Sequence, residues 1–263
     1  MKKILSVLFA IAAINAAAGA KAKKSTLKVG ATPEPHAEIL KLIKSDLKKQ
    51  GITLKIVEFT DYVTPNKALE DGQIDANYFQ HLPYLESFNE EQRTHLASAA
   101  GIHIEPIALY SKKFTELGGI SDGAKIGIPN DPTNEGRALL LLQSAGFITL
   151  KDGAGLTATP LDIVSNPRNL RFTEVEAASL PRILQDVDAA VINGNYAIPA
   201  GLNASTDGLF VEGADSPYVN VIAVKEGNEN DERIQVLVEA LKSQKVKDWI
   251  QKKYPNGDVI AVF

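Results

Sequence analysis

The chain has 263 residues, of which 44% are hydrophobic and 23% charged; it carries a formal net charge of -4 and contains no cysteine. This is an ordinary globular composition, and without thiols it excludes disulfide-stapled folds and cysteine-ligated zinc or iron–sulfur sites. The acidic balance speaks against a nucleic-acid partner, which calls for a basic surface, and the length allows one large domain or two lobes with ample core.

The N-terminus is a different material from the rest. Lys2 and Lys3 precede an apolar run over 4–14, and small residues follow, ending Ala18-Gly19-Ala20. A basic start, a short apolar stretch and an A-x-A-like site predict a cleavable signal peptide over 1–20, too short to span a bilayer comfortably. Removing it takes two lysines and no acid, which leaves 26 basic and 32 acidic residues, or -6. With no cysteine at the cleavage site to carry a lipid, the expected product is a soluble, exported protein of the periplasm.

From there strands and helices alternate. A strand is expected over 27–31. Pro35 opens a helix through 49, with Ile39, Leu40, Ile43 and Leu47 on one face and Gly51 as its stop. A strand over 53–59, a short helix from Pro65, a strand over 74–78, a helix over 82–89 and a long apolar run over 103–110 follow. Further on come a strand over 125–129, a leucine-rich helix over 134–145, a strand over 171–175, a helix over 178–185, strands over 189–192 and 219–225, and one amphipathic helix over 231–253. The alternation predicts an α/β protein with mostly parallel sheets flanked by helices. Two lobes are expected, one over 27–107 plus 221–263 and one over 108–220, the last helices returning to the first lobe.

Three strand ends carry polar or aromatic residues, and ligands of open α/β sheets bind beyond the carboxyl ends of strands. After 125–129 comes Asn130-Asp131-Pro132-Thr133-Asn134-Glu135-Gly136-Arg137. A helix starting near Asn134 offers free N–H groups, and Arg137 in its first turn has the planar fork that grips a carboxylate. The other reading is a capped surface helix whose arginine pairs with Glu135 or Asp131. Asn77-Tyr78-Phe79-Gln80-His81-Leu82-Pro83-Tyr84 gathers three aromatics and a histidine. These are either walls for an apolar or thioether side chain, or core aromatics with His81 capping a helix. Tyr62 after the second strand has the same two readings. Asn193 and Asn195 at a third strand end suit a ligand head group or a turn, and Asn220 inside an apolar run needs a partner of either kind.

No nucleophile elbow, phosphate-binding loop, dinucleotide fingerprint or histidine pair at metal-binding spacing occurs around His36, His81, His95 or His103, so nothing recommends an enzyme, a cofactor or a metal.

Taken together, Asn77-Tyr78-Phe79-Gln80-His81-x-Pro83-Tyr84-Leu85, the stretch 128–134 with Arg137-Ala138-Leu139, Asn166-Pro167 ahead of Glu174-Val175-Glu176-Ala177-Ala178, and Ile192-Asn193-x-Asn195-Tyr196-Ala197 resemble the motifs of the NlpA/MetQ family of methionine-binding proteins of ABC importers. The resemblance spans 27–263. It implies a type II periplasmic binding protein fold with the ligand between two lobes and hinges near 107 and 220. By position it implies that Arg137 holds the methionine carboxylate and that Asn193 and Asn220 bond the head group with Asn134 nearby. Tyr62, Phe79 and His81 would line the side-chain pocket. It further implies a monomer that hands L-methionine to an ABC permease and its ATPase. The alternatives are another ligand on the same scaffold (a methionine-containing dipeptide, D-methionine or another apolar amino acid) or an exported enzyme.

Overall fold

A computed structural model describes residues 25–213 and 216–263; the expected signal peptide lies outside these residues. In chain order the first part comprises β1 (Ser25–Ala31), α1 (Glu38–Lys49), β2 (Ile52–Glu58), α2 (Thr64–Glu70), β3 (Ala76–His81), α3 (Leu82–Gln92) and β4 (Leu96–Ile104). The middle comprises β5 (Ala108–Tyr110), β6 (Lys125–Pro129), α4 (Pro132–Ser144), β7 (Thr149–Leu150), β8 (Ile163–Ser165), β9 (Arg171–Val175), α5 (Leu180–Ile183), β10 (Ala189–Ile192), α6 (Gly194–Ala197), α7 (Ala204–Asp207) and β11 (Phe210–Val211). The chain ends with β12 (Val219–Lys225), α8 (Glu232–Leu241), α9 (Gln244–Lys253) and β13 (Ile260–Ala261).

These strands build two large sheets, in the orders β13-β4-β12-β3-β1-β2 and β11-β5-β10-β6-β9. Each has a parallel centre, β2-β1-β3 and β10-β6-β9, as strand–helix–strand connections require. Antiparallel strands are added where the chain changes sheets. It leaves the first after Ile104 and enters the second at β5, antiparallel to β10; it leaves the second after β11 and enters the first at β12, between β3 and β4. The apolar run expected over 103–110 is therefore cut in two at Glu105-Pro106-Ile107, where the chain passes between sheets.

Each sheet buries its own core. Ile39, Leu40, Ile43 and Leu47 of α1 meet Ile234 and Leu237 of α8 and Val246 and Ile250 of α9 over the first sheet. Leu139 and Leu142 of α4 cover Ile126, Ile128 and Val191 on one side of the second sheet, and Leu180 and Leu184 lie with Ala190 and Ile192 on the other. The single helix expected over 231–253 is two helices. Ser243 is extended (φ -74, ψ 153) and its hydroxyl donates to the Ala240 carbonyl at 2.7 Å; the break lets both apolar stripes reach the same core. The chain turns helical at Pro35, as expected: Pro35–Ala37 form a wider turn that runs directly into α1, and Glu34 ahead of the proline is extended. No described helix is long and apolar enough to cross a membrane.

Candidate functional site

A cavity opens between elements of the two sheets. From the first sheet's side come Tyr62 of the β2–α2 loop, Phe79, Gln80 and His81 of β3, Tyr84 of α3 and Asn220 of β12. From the second come Asn134 and Arg137 of α4 and Asn193, Gly194 and Asn195 at the start of α6; Glu105 belongs to the crossover. All seven residues singled out from the sequence line this one cavity. Asn195 and Tyr84, each read from the sequence in two ways, line it too, whereas Glu105, Gln80 and Gly194 were not singled out as its walls. For Glu105 a signal existed: an acid amid the apolar run over 102–110.

The local structure explains the convergence. Asp131 caps α4 by accepting from the Asn134 N–H at 3.0 Å, with Pro132 at the first helical position. The helix thus starts two residues before the expected point, and Arg137 falls in its second turn, where the dipole has little influence. Neither Glu135 nor Asp131 pairs with it. Its Nε and Nη2 grip the Glu212 carboxylate at 2.8 and 2.5 Å, Nη2 also donates to the Glu105 carbonyl at 2.8 Å, and the guanidinium lies over the Tyr218 ring at 4.2 Å. Both crossovers are thereby tied to one arginine, whose Nη1 has no partner among the described residues.

On β3 a bulge sets the geometry. Pairing with β12 jumps from Gln80 to Tyr78 between Val221 and Ile222, leaving Phe79 as the extra residue. Bulges re-aim side chains beside sites, and this one puts Asn77 and Gln80 on a common face, hydrogen-bonded to each other and to Asn66. Phe79 packs with Tyr84, Phe88 and Tyr62, and the Tyr62 ring stands 5.9 Å from Phe79 and 5.0 Å from Tyr196. His81 fulfils both readings at once. Its Nδ1 accepts from the Tyr84 N–H at 3.1 Å, capping α3, so Nε2 carries the proton and donates to Asn134 Oδ1 at 3.1 Å. Burial, and then the nearby Arg137, pushes its pKa down to about 3, which keeps the ring neutral.

Several bonds join the two sides of the cleft: His81 to Asn134, the Tyr62 hydroxyl to Asn195 Oδ1 at 2.5 Å, and the Tyr196 hydroxyl to the Thr60 carbonyl at 3.1 Å. Asn134 Oδ1 also accepts from Asn193 Nδ2 at 2.7 Å. Two polar atoms in the cavity's walls are left over, the acceptor Asn193 Oδ1 and the donor Asn195 Nδ2, both buried without a partner. Buried polar groups are rarely left so; a ligand offering a donor and an acceptor satisfies both.

Beneath the cavity, His36, His103 and Glu105 are buried with their donor atoms within 4.8 Å of one another, the one group of described residues placed to ligate a metal. Each of those atoms already has a hydrogen-bond partner. His103 Nε2 lies 2.8 Å and His36 Nε2 3.3 Å from Glu105 Oε1, and His36 Nε2 lies 3.0 Å from Asn220 Oδ1. Burial lowers the imidazole pKa values to about 4 for His36 and about 3 for His103, and it raises that of Glu105. The carboxyl's shift is opposed by His36, Arg137 and an Asn195 N–H.

The arrangement therefore brings the free Nη1 of Arg137, the buried Glu105 and spare amide groups of Asn193 and Asn195 to one cavity with the rings of Tyr62, Phe79 and Tyr84. Comparison with known proteins gives the family. A model of the NlpA lipoprotein family matches residues 27–263. The membrane lipoprotein TpN32 of Treponema pallidum is 47% identical over 94% of this chain and 92% of its own length. The D-methionine-binding lipoprotein MetQ of Escherichia coli K12 is 45% identical over 85% of this chain and 82% of its own. Among solved structures, a nutrient-binding protein of Burkholderia cenocepacia bound to methionine superposes with a TM-score of 0.87 at 46% identity, covering 90% of this chain and all of that one. These relatives overturn the expectation of a soluble protein without a lipid. They are named lipoproteins, and a chain without cysteine is no ground for placing this one apart from them. With a two-lobed α/β fold, a cavity between the elements of its two sheets and a family match over 27–263, this protein belongs to the NlpA lipoprotein family.

Proposed function

We propose that this protein is the solute-binding component of an ABC importer and that it captures methionine between its lobes for delivery to the permease and its ATPase. One observation carries the reading: the cavity's lining combines Arg137, Glu105 and asparagine amides with the rings of Tyr62, Phe79 and Tyr84, the complement of a zwitterion with an apolar thioether side chain. In this reading Arg137 takes the carboxylate through Nη1, with Asn193, Asn195 and Asn220 around the head group and Asn134 and His81 holding Asn193 in place. Glu105 takes the ammonium. Tyr62, Phe79 and Tyr84 enclose the side chain.

The proposed moving parts are residues 27–107 plus 221–263 and residues 108–220, hinged at the two crossovers, each copy acting alone. The cavity's polar groups are engaged in holding rather than in proton transfer: His81 is neutral and bonded at both nitrogens, and Glu105 is flanked by two neutral imidazoles. Binding without turnover follows.

Titration calorimetry of ligand-free protein with L-methionine, D-methionine, leucine and a glycyl-methionine dipeptide tests the proposal. Tight binding of methionine supports it, and absence of heat with both enantiomers removes it.

A further inference from the structure

Glu105 is a buried carboxyl group, 5% exposed, and no lysine or arginine pairs with its oxygens among the described residues. Arg137, the nearest candidate, spends its fork on Glu212 and reaches only the Glu105 backbone carbonyl. The carboxylate is met instead by two histidines, and the question is what form they take.

Their outer nitrogens answer it. The Tyr78 hydroxyl lies 2.5 Å from His103 Nδ1, and the Thr32 hydroxyl 2.8 Å from His36 Nδ1. Tyr78 and Thr32 are fully buried and neither hydroxyl makes another hydrogen bond among the described residues. Each hydroxyl therefore donates to Nδ1. Each imidazole then carries its one proton on Nε2; that of His103 donates to Glu105 Oε1 at 2.8 Å, and that of His36 donates to Asn220 Oδ1 at 3.0 Å, with Glu105 Oε1 only nearby at 3.3 Å. A neutral imidazole donor, together with an Asn195 N–H, fixes the carboxylate without neutralising it. A cationic imidazole in either place would supply the missing charge internally and leave none to be satisfied from the cavity.

We infer that the relay Tyr78–His103 is a positioning device that makes Glu105 a reader of the ligand's free ammonium, so that this protein discriminates amino acids from the corresponding acids lacking the amino group. The inference rests on the reading of the cavity as an amino-acid site and deepens it. His103 acts through Glu105, whereas His36 holds Asn220, a wall of the cavity. His103 is the cleaner probe, because Tyr78 and Glu105 are its side chain's only hydrogen-bond partners among the described residues.

The test compares L-methionine with 4-(methylthio)butanoate, the same molecule without its amino group, by calorimetry on wild type, His103→Leu and His103→Gln. The glutamine amide can place an N–H where Nε2–H stood. Removing one donor from a charged buried acceptor is expected to weaken methionine binding by on the order of ten- to a hundredfold in His103→Leu, while the acid changes by less than about twofold. His103→Gln is expected to regain most of the loss, and it serves alone should the leucine variant not fold. Parallel losses for both ligands, or none for methionine, overturn the inference and leave the methionine site standing. A wild type that binds the acid as tightly as methionine overturns the ammonium role of Glu105 and the inference with it.

Discussion

Replacing Glu105 with glutamine should move stability and affinity in opposite directions. The substitution keeps shape and removes charge. In the ligand-free protein the carboxylate is 5% exposed, the two imidazoles beside it are neutral, and burial holds its pKa above the ordinary value. Burying a charge costs several kcal/mol after relaxation. The hydrogen bonds from His103 and the Asn195 N–H return part of that, and each weakens by about 1 kcal/mol when its acceptor becomes neutral. The difference favours glutamine by about 1–2 kcal/mol, which for a chain of this size raises Tm by at least about 2 °C. With ligand present the balance reverses. An ammonium facing an amide instead of a carboxylate loses a buried charge pair, a loss of about 2–5 kcal/mol. Scanning calorimetry of ligand-free protein gives the first quantity and titration calorimetry with methionine the second. A variant that melts lower than wild type while binding methionine equally well would refute the reasoning, because it would mean that the histidines already satisfy the charge.

Three further outcomes are expected. Arg137→Lys keeps the charge but cannot hold Glu212 and a ligand carboxylate with one planar fork; methionine affinity should fall by about 2 kcal/mol or more in the same titration. Gly194→Ala would set a methyl group 2.9 Å from both Cβ and Oε2 of Glu105. The crowding should cost about 1–3 kcal/mol of stability by denaturant unfolding and displace the carboxylate from the ligand. Finally, the pKa values of His36, His81 and His103 are lowered to about 4, about 3 and about 3, so the unfolded chain binds protons that the folded one refuses. Their contribution is fully present above an ordinary histidine pKa near 6.5 and is lost as the pH falls towards 4, by about 1.4 kcal/mol per pH unit for each ring. Glu105, shifted the other way, offsets part of this; unfolding curves at pH 7, 6 and 5 measure the net slope.

Much of this protein was legible along the chain. The apolar periodicity of Ile39, Leu40, Ile43 and Leu47 and the short buried strands required helices packed on sheets, because no other arrangement removes those side chains from water. The same local signals marked the ends of β3, β6 and β10 as places where polar and aromatic residues gather, and Phe79, His81, Asn134, Arg137 and Asn193 from them line one cavity with Tyr62 after β2 and Asn220 of β12. The tertiary structure decided what depends on residues far apart in sequence. Arg137 could not be matched to Glu212, 75 positions away, from local charges that offered Glu135 and Asp131 instead. The bulge at Phe79 lies in the pairing of β3 with β12 and has no mark in either strand alone. Glu105 reads in sequence as an acid at a chain crossing; only the fold sets it beside His36 and Asn195, leaves its oxygens without a lysine or arginine among the described residues, and turns it towards the cavity.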